Sequence, residues 1–318
     1  MFFQRYSDFF VTLATLFILL GVGFIGGKTK IIDGVASKKL SALIIKIGQP
    51  AMIIHTIIKM DYTTENMAVA MQTVIFGFAV HIFMAVVAFF IYIRFKNIDE
   101  RKLSEFSTIF GNVGFLGIPI LESLFDARGA FMGAFMLISF NVFLWTWGIC
   151  IMARKRKDIR ITPKKLLNFG TVPCMIGVIL YFGCKPFFDF PAVIMNGLSY
   201  TASLCTPISM LIIGALLATR TAKQIFGSGK IYLLSAIKLL GMPLLVSFVM
   251  KLIGLPSDWI LFAAAITAMP SATTVTMLAE LYDIDPGYSA QAVGTTSLFS
   301  IVTMPCVMFL AEKIVALW

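Results

Sequence analysis

Charge is scarce in this sequence, and so are the marks of a soluble enzyme. Of its 318 residues 13% are Asp, Glu, Lys or Arg, against about 25% in an ordinary globular domain. Histidine occurs twice, as His55 and His81. No HExxH helix, GxSxG elbow or phosphate-binding glycine loop is present, so no catalytic set is readable and no enzyme is expected. Five cysteines, Cys150, Cys174, Cys184, Cys205 and Cys306, are odd in number and lack CxxC spacing. That pattern implies neither a disulfide framework nor a zinc site, and the cysteines read as small buried apolar residues. No cofactor or metal is expected.

What is abundant is apolar surface: 59% of residues are hydrophobic and the mean hydropathy is +0.92. Apolar stretches of about 20 residues, the length a helix needs to cross a bilayer, recur along the chain. They lie near 9–26, 40–58, 67–94, 105–125, 130–153, 166–183, 195–219, 231–253, 259–282 and 289–316. The pattern predicts an all-α membrane protein of ten crossings whose main partner is the lipid bilayer. The first span follows Gln4, Arg5 and Asp8, lacks a small-x-small site and leads straight into another span, so it is not read as a cleavable signal.

Lys and Arg crowd into alternate loops. The connector after the fifth span alone holds seven between Arg154 and Lys165, whereas the loops after spans 2, 4, 6 and 8 carry only Lys59, Arg128, Lys185 and Lys251. By the positive-inside rule the basic loops are cytoplasmic and both termini extracytoplasmic. Helical spans rather than barrel strands imply the inner membrane. The net charge of +10 is thereby explained, and no nucleic-acid partner is expected.

Five spans precede the basic loop and five follow it, so a second copy of the unit would enter the membrane from the opposite side, an inverted repeat. The expected division is 1–153 and 166–318 around a connector at 154–165. A shift of about 158 residues lays Glu122 on Glu280, Gly129 on Gly287, Ala134 on Ala292 and Asn112 on Pro270. The fourth span of each half carries the same anomaly: Gly111-Asn112-Val113-Gly114-Phe115-Leu116-Gly117-Ile118-Pro119 and Thr267-Ala268-Met269-Pro270-Ser271-Ala272-Thr273-Thr274. Pro removes a backbone donor and Gly weakens a helix interior, so both spans should break near midplane. Matched breaks point to a transporter's substrate site, and half-helix N-termini suit an anion. Small residues at such spacing also serve simply to pack helices closely.

The run Phe110 to Pro119 resembles the fourth-helix signature of the auxin efflux carrier family, whose bacterial members include proteins described as malate or malonate permeases. Met269-Pro270-Ser271-Ala272 resembles the ninth-helix counterpart, Gln49-Pro50 with His55 the second helix, and Thr206-Pro207-Ile208-Ser209 the seventh. The resemblance implies a ten-helix inverted repeat in which helices 4 and 9 break and cross at their prolines, as in bile-acid symporters and sodium/proton antiporters. It further implies a scaffold of spans 1, 2, 6 and 7, a crossover part of spans 3–5 and 8–10 moving like an elevator, and a homodimer. Many relatives have Asn soon after the ninth-helix proline where this chain has Thr273-Thr274, although a hydroxyl still donates.

The expected function is secondary transport of a small carboxylate such as malate. Its binding groups would be Asn112, Gly114, Pro119, Pro270, Ser271, Thr273 and Thr274, with Gln49 and Asn141 lining the cavity or bridging helices. Asn112 reads either as an amide donor to the substrate or as a helix cap. Lys46 and Lys238 are expected to snorkel toward the cytoplasmic surface, Lys46 being the expected exception if there is one, because it shares span 2 with Gln49. His55 and His81 read as structural, with proton coupling as the alternative. Glu122, Glu280, Asp126, Asp283 and Asp285 read as solvated helix ends, or as a cation site. The rival function is a cation antiporter or sodium-coupled symporter, which should need acidic residues at the breaks; none lies between Gly111 and Pro119 or between Pro270 and Thr276. Coupling to H+ or Na+ stays open.

Overall fold

The computed structural model describes residues 6–156, 167–168, 170–221 and 228–317, without the side chains of Glu280 and Leu281. Most of the basic connector at 154–165 therefore lies outside the described residues. Among those described, regular structure is entirely helical: α1 Ser7–Lys28, α2 Gly34–Lys59, α3 Thr64–Tyr92, α4 Ile98–Ile109, α5 and α6 within Val113–Ala153, α7 Thr171–Cys184, α8 Ala192–Ala218, α9 Gly229–Leu252, α10 Ser257–Thr267, α11 Thr274–Leu281 and α12 Pro286–Val315. Seven stretches of the described residues are long and apolar enough to cross a membrane, and α7 and α10 are shorter apolar helices. Large apolar side chains such as Val11, Ile18, Ile75, Phe90 and Val302 cover the outside of the bundle, which suits lipid rather than water. Cys174 and Cys205 are buried as expected, but Cys150 and Cys306 lie on that outer apolar surface.

The 41 residues of Val113–Ala153 are not one straight helix. Phe125 (φ −137°) and Asp126 (φ +56°) leave helical geometry, and a side chain on Gly129 would strike the carbonyl of Leu121 while one on Gly133 would meet Leu121 Cδ1 at 2.8 Å and Ile118 Cγ1 at 3.6 Å. In a straight helix at 1.5 Å per residue, positions 118 and 133 stand about 22 Å apart. The chain must double back, giving α5 (113–124) and α6 (127–153). Left-handed Asp283 and Asp285 make the matching turn between α11 and α12, where the Asp285 side chain caps the helix by accepting from Tyr288 N at 3.0 Å. Asp126, Asp283 and Asp285 are exposed, as solvated helix ends should be.

Among the described residues five short π-helical turns interrupt the bundle, at Ile44–Gly48, Val113–Gly117, Leu144–Gly148, Leu180–Cys184 and Ile237–Gly241. Three precede the pattern Gly-x-Pro: Gly48-Gln49-Pro50, Gly117-Ile118-Pro119 and Gly241-Met242-Pro243. The cause is local, because a proline ring collides with the carbonyl one turn earlier and a widened turn relieves the collision.

Helix α4 begins seven residues before its apolar span was expected to start. Asn97 caps it, Oδ1 accepting from Asp99 N at 3.0 Å, and its charged first half is held inside by ion pairs. Glu105, 2% exposed, receives Arg101 Nε at 2.7 Å and both terminal nitrogens of Arg154 at 2.8 Å. This bidentate pair fastens the end of α6 to α4. Arg154→Ala is expected to lower stability by about 2 kcal/mol, the worth of a charge-assisted hydrogen bond with Arg101 still in place, measurable as a reduced melting temperature in detergent.

Candidate functional site

The two sequence anomalies meet. Gly111 and Ser271 form an isolated antiparallel bridge, with Asn112 N donating to Pro270 O at 2.7 Å and Ala272 N donating to Phe110 O at 2.9 Å. Chain that is broken at membrane depth must find its backbone partners inside the protein, and here each interrupted segment satisfies the other. The last carbonyls of α4 are taken up one by one: Ser107 O accepts from Ser271 Oγ at 3.1 Å, Thr108 O from Lys238 Nζ at 3.1 Å, and Phe110 O from Ala272 N. Ser271 N donates in turn to Thr296 Oγ1 of α12 at 3.1 Å.

Four half-helix ends converge on this bridge. Helices α4 and α10 arrive with their C-termini, while α5 and α11 leave with their N-termini, whose first N–H groups have no partners within the helix. Asn112 occupies the N-cap position of the turn at Val113 but its side chain caps nothing; it is 3% exposed and its amide nitrogen Nδ2 has no hydrogen-bond partner. The hydroxyls of Thr274 and Thr276, and of Ser107 and Ser297, are likewise buried and unpartnered. Buried polar atoms in this state are rare and call for an explanation.

The expected site residues divide clearly. Asn112, Pro270 and Ser271 form the bridge, with Ser271 already committed through both its N–H and its hydroxyl. Gln49 comes to them from α2, since a side chain on Gly114 would lie 3.2 Å from Gln49 Nε2. Thr206, from the corresponding Thr-Pro pair of α8, donates to Phe115 O at 3.3 Å. Thr273 and Thr274 open α11 and are half-buried. Asn141 stands apart: its amide donates to Leu137 O of its own helix at 2.8 Å and packs against Gly170.

A cavity of about 240 Å³ leads toward the crossing between α2, α8 and the α5–α6 hairpin, with Pro119 and Thr206 in its wall. His55, Lys59 and Glu122 line it, and Lys59 Nζ stands 3.5 Å from Glu122 Oε1 with both side chains about half exposed. A larger cavity of about 560 Å³ between α3, α6 and α7 is lined by Met71, Val74, Phe135, Cys174 and Phe182 among others. Almost wholly apolar, it offers a carboxylate nothing and suits lipid. His81, 2% exposed, holds Gly77 O at 2.6 Å and packs among Phe110, Phe140 and Phe143, an arrangement that fits the structural reading.

One sequence expectation is overturned. Lys46, the one singled out as the exception, is exposed, in keeping with a side chain that reaches out. Lys238 is not: it is 0% exposed and points at Thr108 O beside the bridge. It lies in the π turn Ile237–Gly241, nine residues beyond the start of α9, on the face that meets the end of α4, where its side chain is enclosed by protein instead of reaching outward.

A family model described as membrane transport protein matches residues 8–172 and 164–308. The chain belongs to the membrane transport protein family, that of the auxin efflux carriers. It is therefore a multi-pass membrane transporter and not an enzyme. Among relatives in the family, an uncharacterized transporter of Methanocaldococcus jannaschii is 25% identical over 92% of this chain and 96% of its own length. The "Putative malonate transporter" of Rhizobium meliloti is 22% identical over 93% and 94%.

Proposed function

We propose that this transporter is a secondary carrier of a small carboxylate, malonate or malate in kind, bound at the bridge between the two broken segments. The observation that carries this reading is the buried, unpartnered amide nitrogen of Asn112 beside two half-helix N-termini. A neutral donor at such a point can accept a carboxylate without the cost of a permanent charge in the membrane. The hydroxyls of Thr274 and Thr276, equally unpartnered, and Gln49 at Gly114 would complete the coordination. Malonate as cargo is further supported by the name of the Rhizobium relative.

Around that site we read ten crossings in two inverted halves. Counting the doubled-back 113–153 as two crossings, then adding α7 and the broken α10–α11, raises the seven long stretches to ten. The paired left-handed aspartates after α5 and α11 support the repeat. Helices α1, α2, α7 and α8 would form the scaffold of a homodimer, and the remaining helices would move as an elevator, opening the cavity at Pro119 to one side and then the other. Orientation follows the basic loops, with both termini outside the inner membrane. The rival cation carrier would need acidic side chains at the breaks, and none lies between Gly111 and Pro119 or between Pro270 and Thr276.

The deciding experiment is uptake of radiolabelled malate, malonate and an indole acid into proteoliposomes, under imposed proton and sodium gradients. Saturable uptake of a dicarboxylate is the expected result. Sodium or proton flux with no uptake of any acid would transfer the chain to the rival reading.

A further inference from the structure

We infer that Lys238 is the resident cation of the crossing: its ammonium fills the place a bound metal cation would take, so that carriage of the anion needs no sodium. The inference rests on the carboxylate reading and adds to it the origin of the balancing charge.

Lys238 Nζ donates to Thr108 O at 3.1 Å and lies 3.3 Å from where a side chain on Gly111 would begin, against the very residue that pairs with Ser271. The end of α4 presents carbonyl oxygens and the negative pole of a helix dipole, and carbonyl oxygens are the ligands that hard metal cations prefer. An ammonium group on a π turn of α9 sits there instead. Being covalently part of the chain, it cannot leave with the cargo.

Buried Glu105 is already engaged by Arg101 and Arg154, and no ion pair to Lys238 exists among the described residues. The titratable group that interacts with it electrostatically is His81, itself bonded to Gly77 O. The ammonium has three donors, and Thr108 O uses one. A buried charge of one sign without a counter-ion is unfavourable, and the unpartnered Asn112 amide and Thr274 hydroxyl, the first next in sequence to Gly111 and the second three residues after Ser271 of the same bridge, are donors as well. A carboxylate arriving at the bridge is the missing partner for all three. The protein then supplies one positive charge to the loaded site, and a metal ion is not required to balance the anion.

The test compares wild-type carrier and Lys238→Met in detergent and in proteoliposomes, using malonate and malate as probes. Wild-type uptake should change by less than twofold when sodium is replaced with choline. Lys238→Met should lose at least tenfold in uptake and also lose the rise in melting temperature that the dicarboxylate gives the wild type. Uptake by the wild type that stops without sodium overturns the inference and needs no variant, so it decides even where Lys238→Met does not fold. A folded Lys238→Met that retains wild-type uptake and stabilisation also overturns it, leaving the carboxylate reading intact. A wild type that responds to no acid removes the carboxylate reading and this inference together.

Discussion

Replacing Asn112 with alanine should weaken carboxylate uptake roughly ten- to a hundredfold, mostly in KM, while making the empty carrier more stable rather than less. The first number follows from losing a hydrogen bond to a charged ligand, about 1.5–3 kcal/mol, at 1.4 kcal/mol per factor of ten. The second effect has the opposite sign for a definite reason. The Asn112 amide nitrogen is buried without a partner, so the native apo state already bears its desolvation, and truncation to alanine breaks no side-chain cap. Uptake kinetics and melting temperature in detergent, measured on the same preparations, separate the readings. A residue that merely held the helix together would lose stability and activity in step; a ligand-binding residue moves them apart.

Gly214→Val should yield no monodisperse folded carrier. Helices α1 and α8 touch backbone to backbone: a side chain on Gly214 would drive into the Leu20 carbonyl and stand 2.6 Å from Phe24 N, and one on Gly27 would meet Ala215 Cα at 2.8 Å and Ala218 Cβ at 2.7 Å. Such approach is how helices associate where lipid provides no hydrophobic drive, and it depends on residues with almost no side chain. The obstacle here is main chain, which cannot rotate aside, so overpacking should exceed the usual 1–3 kcal/mol or so. Gly214→Ala should lower the melting temperature by a lesser amount. Gly21→Ala is the control, because a side chain there meets nothing within 4 Å. Size-exclusion profiles of the three variants give the comparison, and a normal Gly214→Val profile would sink the argument.

Most of the architecture was legible because membrane helices advertise themselves. The expected span at 67–94 became Thr64–Tyr92 and that at 289–316 became Pro286–Val315, and the gap left between spans 4 and 5 fell on the turn at Phe125–Asp126. Hydropathy failed at α4, where Asn97 caps a charged segment that ion pairs, not apolarity, keep inside. At the site, Gly and Pro located the breaks and resemblance aligned them, but neither could say which polar atoms would be spent on structure. Ser271 turned out to be committed to Ser107 and Thr296, whereas Asn112 was left open. Lys238 was misread because its depth along the helix was known but not the face of α9 it occupies, which meets the end of α4. A signal was present in Gly241-Met242-Pro243, the same Gly-x-Pro that follows π turns in α2 and at the α5 junction, and it would have marked the segment around Lys238 as irregular.

The join between the two broken segments is made by main-chain atoms, Asn112 N to Pro270 O and Ala272 N to Phe110 O. Amide groups are common to every amino acid except for proline's missing N–H, so the splice does not depend on what side chains stand at 112, 273 or 274. On the proposed reading, architecture and cargo choice would be written in separate alphabets: the first in peptide groups, the second in a few side chains that the architecture leaves unspent. A single scaffold of this kind would then be retuned from one acid to another by changing letters of the second alphabet alone.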